Sequence, residues 1–184
     1  MSTDQEKSFT ATLSTQFGYP HFPLLTYGRA IKTLRPDYET FAVSPHIDVS
    51  DYLFVKPDVA PDALTFYFRC DRDYYTIYIF TPGEYCYRTL SRESKDFMNA
   101  YVAKSGDQTT FNLLNAHGKI ITLDQIDTDT PSVYIQTRGG ALLCAGKSRN
   151  KYDPAVGTFV RTDPYRSEIA LEFKLNILKR NVPY

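Results

Sequence analysis

The amino-acid sequence predicts a single all-β domain made of three similar units. The first observation is length, because 184 residues is typical of one domain. The second is composition: 15 tyrosines and 12 phenylalanines suit pleated strands, while 11 prolines and 9 glycines indicate frequent turns. The third is a turn motif that recurs along the chain at almost equal intervals, which indicates internal repetition.

The recurring motif is Thr-x-Gly at the end of an apolar, strand-like run. Glycine adopts positive φ without steric cost, so each motif predicts the tip of a β-hairpin. A second strand-like run follows each turn, at residues 30–34, 85–90 and 141–145. The three motifs begin at Thr26, Thr81 and Thr137 and end at Gly28, Gly83 and Gly139.

Three further landmarks accompany each turn. An apolar segment precedes it, at residues 9–13, 64–68 and 120–123. A short run led by an aromatic residue follows the hairpin, at 41–43, 101–103 and 159–161, and a closing strand comes next, at 52–55, 110–113 and 171–175. We therefore predict one domain over residues 1–184 with internal repeats at about 6–58, 61–115 and 118–180.

Three units of about four strands resemble the β-trefoil superfamily over most of the chain. That resemblance implies a barrel of paired strands, capping hairpins and pseudo-threefold symmetry. A β-prism of three four-stranded sheets is the alternative. Helix is expected only at residues 92–102, and the C-terminal residues 178–184 are expected either to pair with the N-terminal segment and close the barrel or to form a homodimer contact.

Charge and hydropathy exclude several classes of partner. Lys plus Arg equals Asp plus Glu at 21 each, so no summed field attracts nucleic acid or an anionic membrane. No run of 18 apolar residues predicts a membrane span, and the polar residues 1–7 do not have the character of a signal peptide. The expected location is cytoplasmic, with non-classical secretion left open.

Motifs for catalysis or metal binding are lacking in the sequence. Cys70, Cys86 and Cys144 are odd in number and have no CxxC spacing, so we predict buried reduced thiols rather than disulfides or a zinc site. The three histidines fall at different landmarks of the repeat, and no phosphate loop or nucleophile motif is present. We expect no enzyme activity, no metal and no cofactor.

Candidate binding residues come from the loop after each hairpin, where an aspartate adjoins an aromatic residue. Carboxylate or amide oxygens accept hydrogen bonds from sugar hydroxyls, and an aromatic face covers the apolar side of a pyranose. The same residues are also ordinary turn formers and barrel-end packing residues, which is the alternative interpretation. The predicted ligand-binding set is Asp37, Tyr38, Asp96, Phe97, Asn150, Tyr152, Asp153, Asp163 and Tyr165.

These residues and the resemblance together predict a non-enzymatic carbohydrate-binding protein, a trefoil-type lectin. The Gln-x-Trp signature of ricin-type lectins is absent, because the chain has no tryptophan. Three sites would add avidity. If one site alone functions, the long loops of the third unit are its expected place. The alternative is a protein-binding trefoil such as a protease inhibitor, an actin-binding module or a toxin component, so the expected partner is a glycan or a protein ligand.

Overall fold

The structure is a computed structural model that describes residues 3–30, 32–34, 46–62, 64–92, 96–102, 109–146, 157–163 and 168–183. Of these residues 51% are in strands and 6% are helical, which confirms the all-β prediction. The helical segments are α1 (Pro23–Tyr27) and a 3₁₀ turn (Leu123–Gln125). In chain order the strands are β1 (Phe9–Thr15), β2 (Tyr19–His21), β3 (Lys32–Leu34), β4 (His46–Asp48), β5 (Phe54–Lys56), β6 (Thr65–Asp71), β7 (Tyr74–Ile79), β8 (Thr89–Arg92), β9 (Met98–Tyr101), β10 (Phe111–Leu114), β11 (Ile120–Ile121), β12 (Ser132–Thr137), β13 (Leu142–Ala145), β14 (Thr158–Asp163), β15 (Ile169–Ala170) and β16 (Glu172–Arg180).

Six of these strands form a closed barrel. The ring runs β1, β6, β7, β10, β12, β16 and back to β1, and every neighbouring pair is antiparallel. Closure leaves none of the six as an unpaired edge. A closed ring differs from three separate four-stranded sheets, so the β-prism alternative does not describe the fold.

Alternating burial explains why the barrel strands form where they do. In β16 the side chains of Phe173, Leu175 and Ile177 are buried, while the residues between them face solvent. β7 alternates in the same way. This period of two places one face of each strand in the core. Inside the barrel, Phe9 stacks on Phe68 with ring centroids 4.5 Å apart.

Strands outside the barrel meet over a second, smaller cluster. β5 pairs with β14, a bridge joins Tyr52 to Asn99 of β9, and another joins Phe97 to Arg161 of β14. The Phe159 ring centroid lies 4.3 Å from that of Phe54 and 5.1 Å from that of Phe97. Tyr52 stacks on Phe97 at 5.6 Å. We call these four residues, Tyr52, Phe54, Phe97 and Phe159, the aromatic cap.

The segment containing Thr26 differs from its prediction. It forms helix α1 instead of a strand and hairpin tip, because Pro23 occupies the first helical turn with its φ preset. Gly28 ends the helix in the left-handed conformation and donates its N–H to the carbonyl oxygen of Leu24 at 2.9 Å. The turn that follows the first barrel strand is instead at Thr15 and Gly18.

Two other expectations have clear outcomes. Residues 92–102 contain no described helix, because β8 and β9 pair there as antiparallel strands. The predicted pairing of the two chain ends is confirmed: Phe9 opposes Arg180, and the Val182 N–H donates to the Ser8 carbonyl at 3.1 Å. The predicted strand at residues 41–43 lies outside the described residues.

Gly18 provides a test of the contact between the turn after β1 and Lys56 at the end of β5. Its φ is +112°, and an added Cβ would lie 2.3 Å from the Lys56 carbonyl carbon. Gly28 also has positive φ, but a Cβ there would meet no atom within 4 Å. We expect Gly28→Ala to lower the free energy of unfolding by about 1 kcal/mol from backbone strain alone. Gly18→Ala should lower it by about 3 kcal/mol, because backbone must also move.

Urea denaturation of both variants measures the difference. Equal losses of stability in Gly18→Ala and Gly28→Ala would contradict the close packing of the 15–18 turn on Lys56.

Candidate binding cleft

Most of the sequence-predicted site residues fall outside the part of the chain that the structure describes. Three of the nine, Asp96, Phe97 and Asp163, can be placed. The residues outside the described part are Asp37, Tyr38, Asn150, Tyr152, Asp153 and Tyr165.

Phe97 is a packing residue in this structure. Its side chain is 4% exposed, stacked on Tyr52 within the aromatic cap, and the Arg161 guanidinium lies 5.4 Å from its ring centroid on another side. No ring face is therefore open to a sugar. Asp96 pairs with Arg92 at 3.4 Å, and its backbone carbonyl accepts the Thr162 N–H at 2.7 Å.

Asp163 is also held inside the protein. It is 4% exposed at the end of β14, and its Oδ2 atom accepts the backbone N–H of Glu168 at 2.6 Å. Aspartate side chains commonly accept hydrogen bonds from nearby backbone N–H groups in this way. Asp96 contacts Thr162, the residue before Asp163, because the Thr162 hydroxyl donates to the Asp96 carbonyl and carboxylate oxygens. Burial nevertheless removes both Phe97 and Asp163 from the exposed surface.

The structure has a polar cleft of about 470 Å³ at a different place. Its walls come from helix α1 and the residue Ala30, from a turn at residues 48–52, from a turn at residues 83–88, and from β9. Sequence reasoning did not select these residues. The lining residues are Leu24, Ala30, Asp48, Ser50, Asp51, Tyr52, Glu84, Arg88 and Asn99.

Arg88 is central to the charge arrangement of the cleft. Its Nη1 atom lies 3.7 Å from Asp51 Oδ2, and its Nη2 atom lies 3.7 Å from Glu84 Oε1. The guanidinium also covers the Tyr85 ring, 4.3 Å from the ring centroid, which restricts its orientation. Arg88 thus links the 83–88 turn to the 48–52 turn.

Tyr85 lies beneath this ion-pair network and is fully buried. Its hydroxyl donates to the Asp51 carboxylate and also lies 3.2 Å from the Ser50 carbonyl oxygen. Burial, together with the bond to Asp51, raises the pKa of the Tyr85 hydroxyl. The hydroxyl therefore stays a proton donor near neutral pH, and it fixes one carboxylate oxygen of Asp51.

The 48–52 turn is fixed from several sides. Asp48 Oδ1 accepts the Ser50 backbone N–H at 2.9 Å and the Ser50 hydroxyl at 2.5 Å. The Ser50 carbonyl accepts the Leu24 N–H at 3.2 Å, and the Asp51 carbonyl accepts the Ala100 N–H at 3.0 Å. The turn is consequently attached both to α1 and to β9, so the positions of Asp51 and Tyr52 are set by the fold.

The cleft combines fixed acceptors, a fixed donor and an apolar wall. Asp48, Asp51 and Glu84 supply carboxylate oxygens, Arg88 supplies N–H donors, and Leu24 adds apolar surface. This chemistry suits a small polar ligand rich in hydroxyl groups. Over the described residues no group of three or more His, Cys, Asp and Glu side chains could hold a metal ion.

Within the described ranges, no helix has the length and apolar character needed to cross a bilayer. A scan against protein-family models found no match, and searches of curated proteins and of solved structures found no similar protein. The geometry of the cleft is therefore the basis of the functional proposal below.

The three cysteines lie outside the cleft and differ in exposure. Cys70 and Cys144 are buried, as the sequence predicted, whereas the prediction was wrong for Cys86, which is half-exposed. Burial raises the pKa of the Cys70 thiol from its ordinary 9.0 to about 11, and burial with Asp163 nearby raises that of Cys144 to about 11. Both thiols remain protonated and poorly nucleophilic at neutral pH.

We expect one thiol, that of Cys86, to react rapidly with a disulfide reagent at pH 8 in the native protein. Cys70 and Cys144 should react only after unfolding, because they are buried and protonated. Counting released chromophore with and without urea checks this. Cys86→Ser is the control and should abolish the rapid phase. Rapid reaction of a second thiol in the folded protein would contradict the burial of Cys70 and Cys144.

The raised thiol pKa values also predict the pH dependence of stability. Between the ordinary pKa of 9.0 and the folded value of about 11, the unfolded chain loses these protons while the folded protein keeps them. The free energy of unfolding should therefore fall as pH rises through this window. Urea titrations at pH 8 and 10 measure the fall, and Cys70→Ser with Cys144→Ser should reduce it.

Tyr85→Phe tests the buried bond to Asp51. Removing the hydroxyl leaves the carboxylate without its buried donor, so we expect a loss of about 2 kcal/mol in the free energy of unfolding. Tyr87→Phe is the matched control, because Tyr87 is 63% exposed and should change stability by less than about 0.5 kcal/mol. Equal stability of the two variants in urea would show that the Tyr85 hydroxyl does not anchor the cleft.

Proposed function

We propose that the barrel and its outer strand pairs form a β-trefoil with three repeats, and that the protein is a non-enzymatic carbohydrate-binding protein. Strand order supports the proposed β-trefoil. Along the chain β2 and β5 lie between barrel strands β1 and β6, β8 and β9 between β7 and β10, and β13 and β14 between β12 and β16. Contacts among β5, β9 and β14 in the aromatic cap agree with this arrangement.

The polar cleft is the observation that supports carbohydrate binding. A sugar presents hydroxyl groups that both donate and accept hydrogen bonds, so a sugar site needs fixed partners of both kinds. Asp51 and Arg88 provide them side by side, and Tyr85 and the Glu84 carboxylate hold them in place. Such pre-organised polar groups orient a ligand at low entropic cost.

The dimensions of the cleft also favour a small ligand. A volume of about 470 Å³ lies within the range of small-molecule sites. Leu24 and the partly buried Tyr52 supply apolar surface for the carbon-bound hydrogens of a sugar ring. The cleft is thus the proposed glycan site, and the predicted residues outside the described part of the chain stay a prediction.

A glycan array probed with the labelled protein tests the proposal, and isothermal titration calorimetry of the tightest glycan gives its Kd. We expect Arg88→Ala to weaken this binding at least about tenfold, because a charged hydrogen-bond donor is lost from the site. Arg92→Ala is the matched control: Arg92 also pairs with an aspartate, at 3.4 Å from Asp96, but does not line the cleft.

Each result of this experiment has a defined meaning. Binding that survives in Arg92→Ala and is lost in Arg88→Ala supports the cleft as the glycan site. Equal affinities of the two variants would place the glycan elsewhere on the protein. A folded wild-type protein that binds no glycan on the array would overturn the proposal and favour the protein-binding alternative.

A further inference from the structure

A row of four aromatic rings lies along β6, β7 and the 83–88 turn. Tyr67 stacks on Tyr78 with ring centroids 6.0 Å apart, and lies 5.9 Å from Phe80. Phe80 in turn meets Tyr87 edge-on at 5.8 Å. Tyr67 is buried, Tyr78 and Phe80 are half-buried, and Tyr87 is 63% exposed. The row therefore ends in one large ring that faces water.

The backbone at Tyr87 is in the left-handed region, with φ of 65°. This conformation is unfavourable for a residue with a side chain, and glycine or asparagine is usual there. Hydrogen bonds hold it: the Tyr87 N–H donates to the Ile79 carbonyl at 2.8 Å, and the Ile79 N–H donates to the Arg88 carbonyl at 2.8 Å. The fold thus keeps a strained residue whose ring is displayed instead of buried, a combination that is often functional.

The exposed ring is carried by one of the turns that form the polar cleft. Glu84 and Arg88 line the cleft from the same turn that carries Tyr87, and Arg88 is its immediate neighbour. The exposed aromatic surface is a single ring in edge-on contact with Phe80, much smaller than the roughly 1,000 Å² that a protein interface needs.

We propose that Tyr87 is a stacking platform for a second sugar ring, so that the protein recognises an oligosaccharide instead of a monosaccharide. The first sugar occupies the polar cleft, and the apolar face of the next pyranose lies on the Tyr87 ring, with Phe80 fixing that ring from the side. A tyrosine ring suits this contact because its face is apolar and its hydroxyl remains in water. This inference rests on the proposed carbohydrate function of the cleft.

The test compares glycans of increasing length. The probes are the tightest-binding glycan of the array and its fragments of one, two and three sugars. We expect Tyr87→Gly to leave the affinity for the monosaccharide unchanged and to weaken binding of the longer glycans about tenfold. Glycine suits the left-handed backbone, so this variant keeps the fold. Tyr87→Phe retains the ring and should bind all lengths as the wild type does.

A second readout uses the absence of tryptophan from the chain. Tyr87→Trp introduces one indole at the platform, and its fluorescence should change when the trisaccharide binds but not when the monosaccharide binds. Tyr74→Trp is the matched control, because Tyr74 lies at the opposite end of β7 from Ile79 and should give no change.

The outcomes separate this inference from the function on which it rests. If Arg88→Ala loses binding while Tyr87→Gly binds every length as tightly as the wild type, the cleft is supported as the glycan site and the role of Tyr87 as a platform is overturned. If the folded wild-type protein binds no glycan, both proposals fail together. A loss in Tyr87→Gly that is the same for the monosaccharide and the trisaccharide would also overturn the platform.

Discussion

Pairing between the first and last strands of the barrel is the constraint on which the rest of the structure depends. β1 and β16 pair over seven registered positions with one irregularity between Thr10 and Ala11, and the contact continues from Val182 to Ser8. These segments are far apart in the sequence, and their pairing closes the ring. The closed barrel has no unpaired edge strand. The strand pairs outside it are therefore attached at fixed positions.

The sequence predicted the parts of the fold whose patterns are local. Alternation in β16 and the polar turns around Gly83 and Gly139 are visible in the residues themselves. The hairpin turn of the first unit was predicted incorrectly because Thr26 and Gly28 match the turn motif, although Pro23 starts a helix there. The nearly equal spacing of the three threonines thus failed to predict the backbone conformation at Thr26, where Pro23 starts a helix.

Long-range packing explains why the polar cleft was not predicted. The aromatic cap brings together Phe54, Phe97 and Phe159, whose separations along the chain are unequal, so no regular repeat marks them. Phe97 was selected for its aspartate neighbour, yet the contact with Phe159 buries it. The cleft likewise joins Asp51 to Arg88 across two turns, and neither residue belongs to a motif that indicates a site.

The two walls of the cleft are attached to different parts of the protein, and this decides how rigid the site is. The 83–88 turn is tied to the barrel through Ile79, whereas the 48–52 turn is tied to the outer strands through the bond from Ala100 to Asp51. The ion pair of Arg88 with Asp51 and the bond from Tyr85 connect the walls. A shift of the outer strands relative to the barrel therefore changes the distance between the Arg88 donor and the Asp51 acceptor of the cleft.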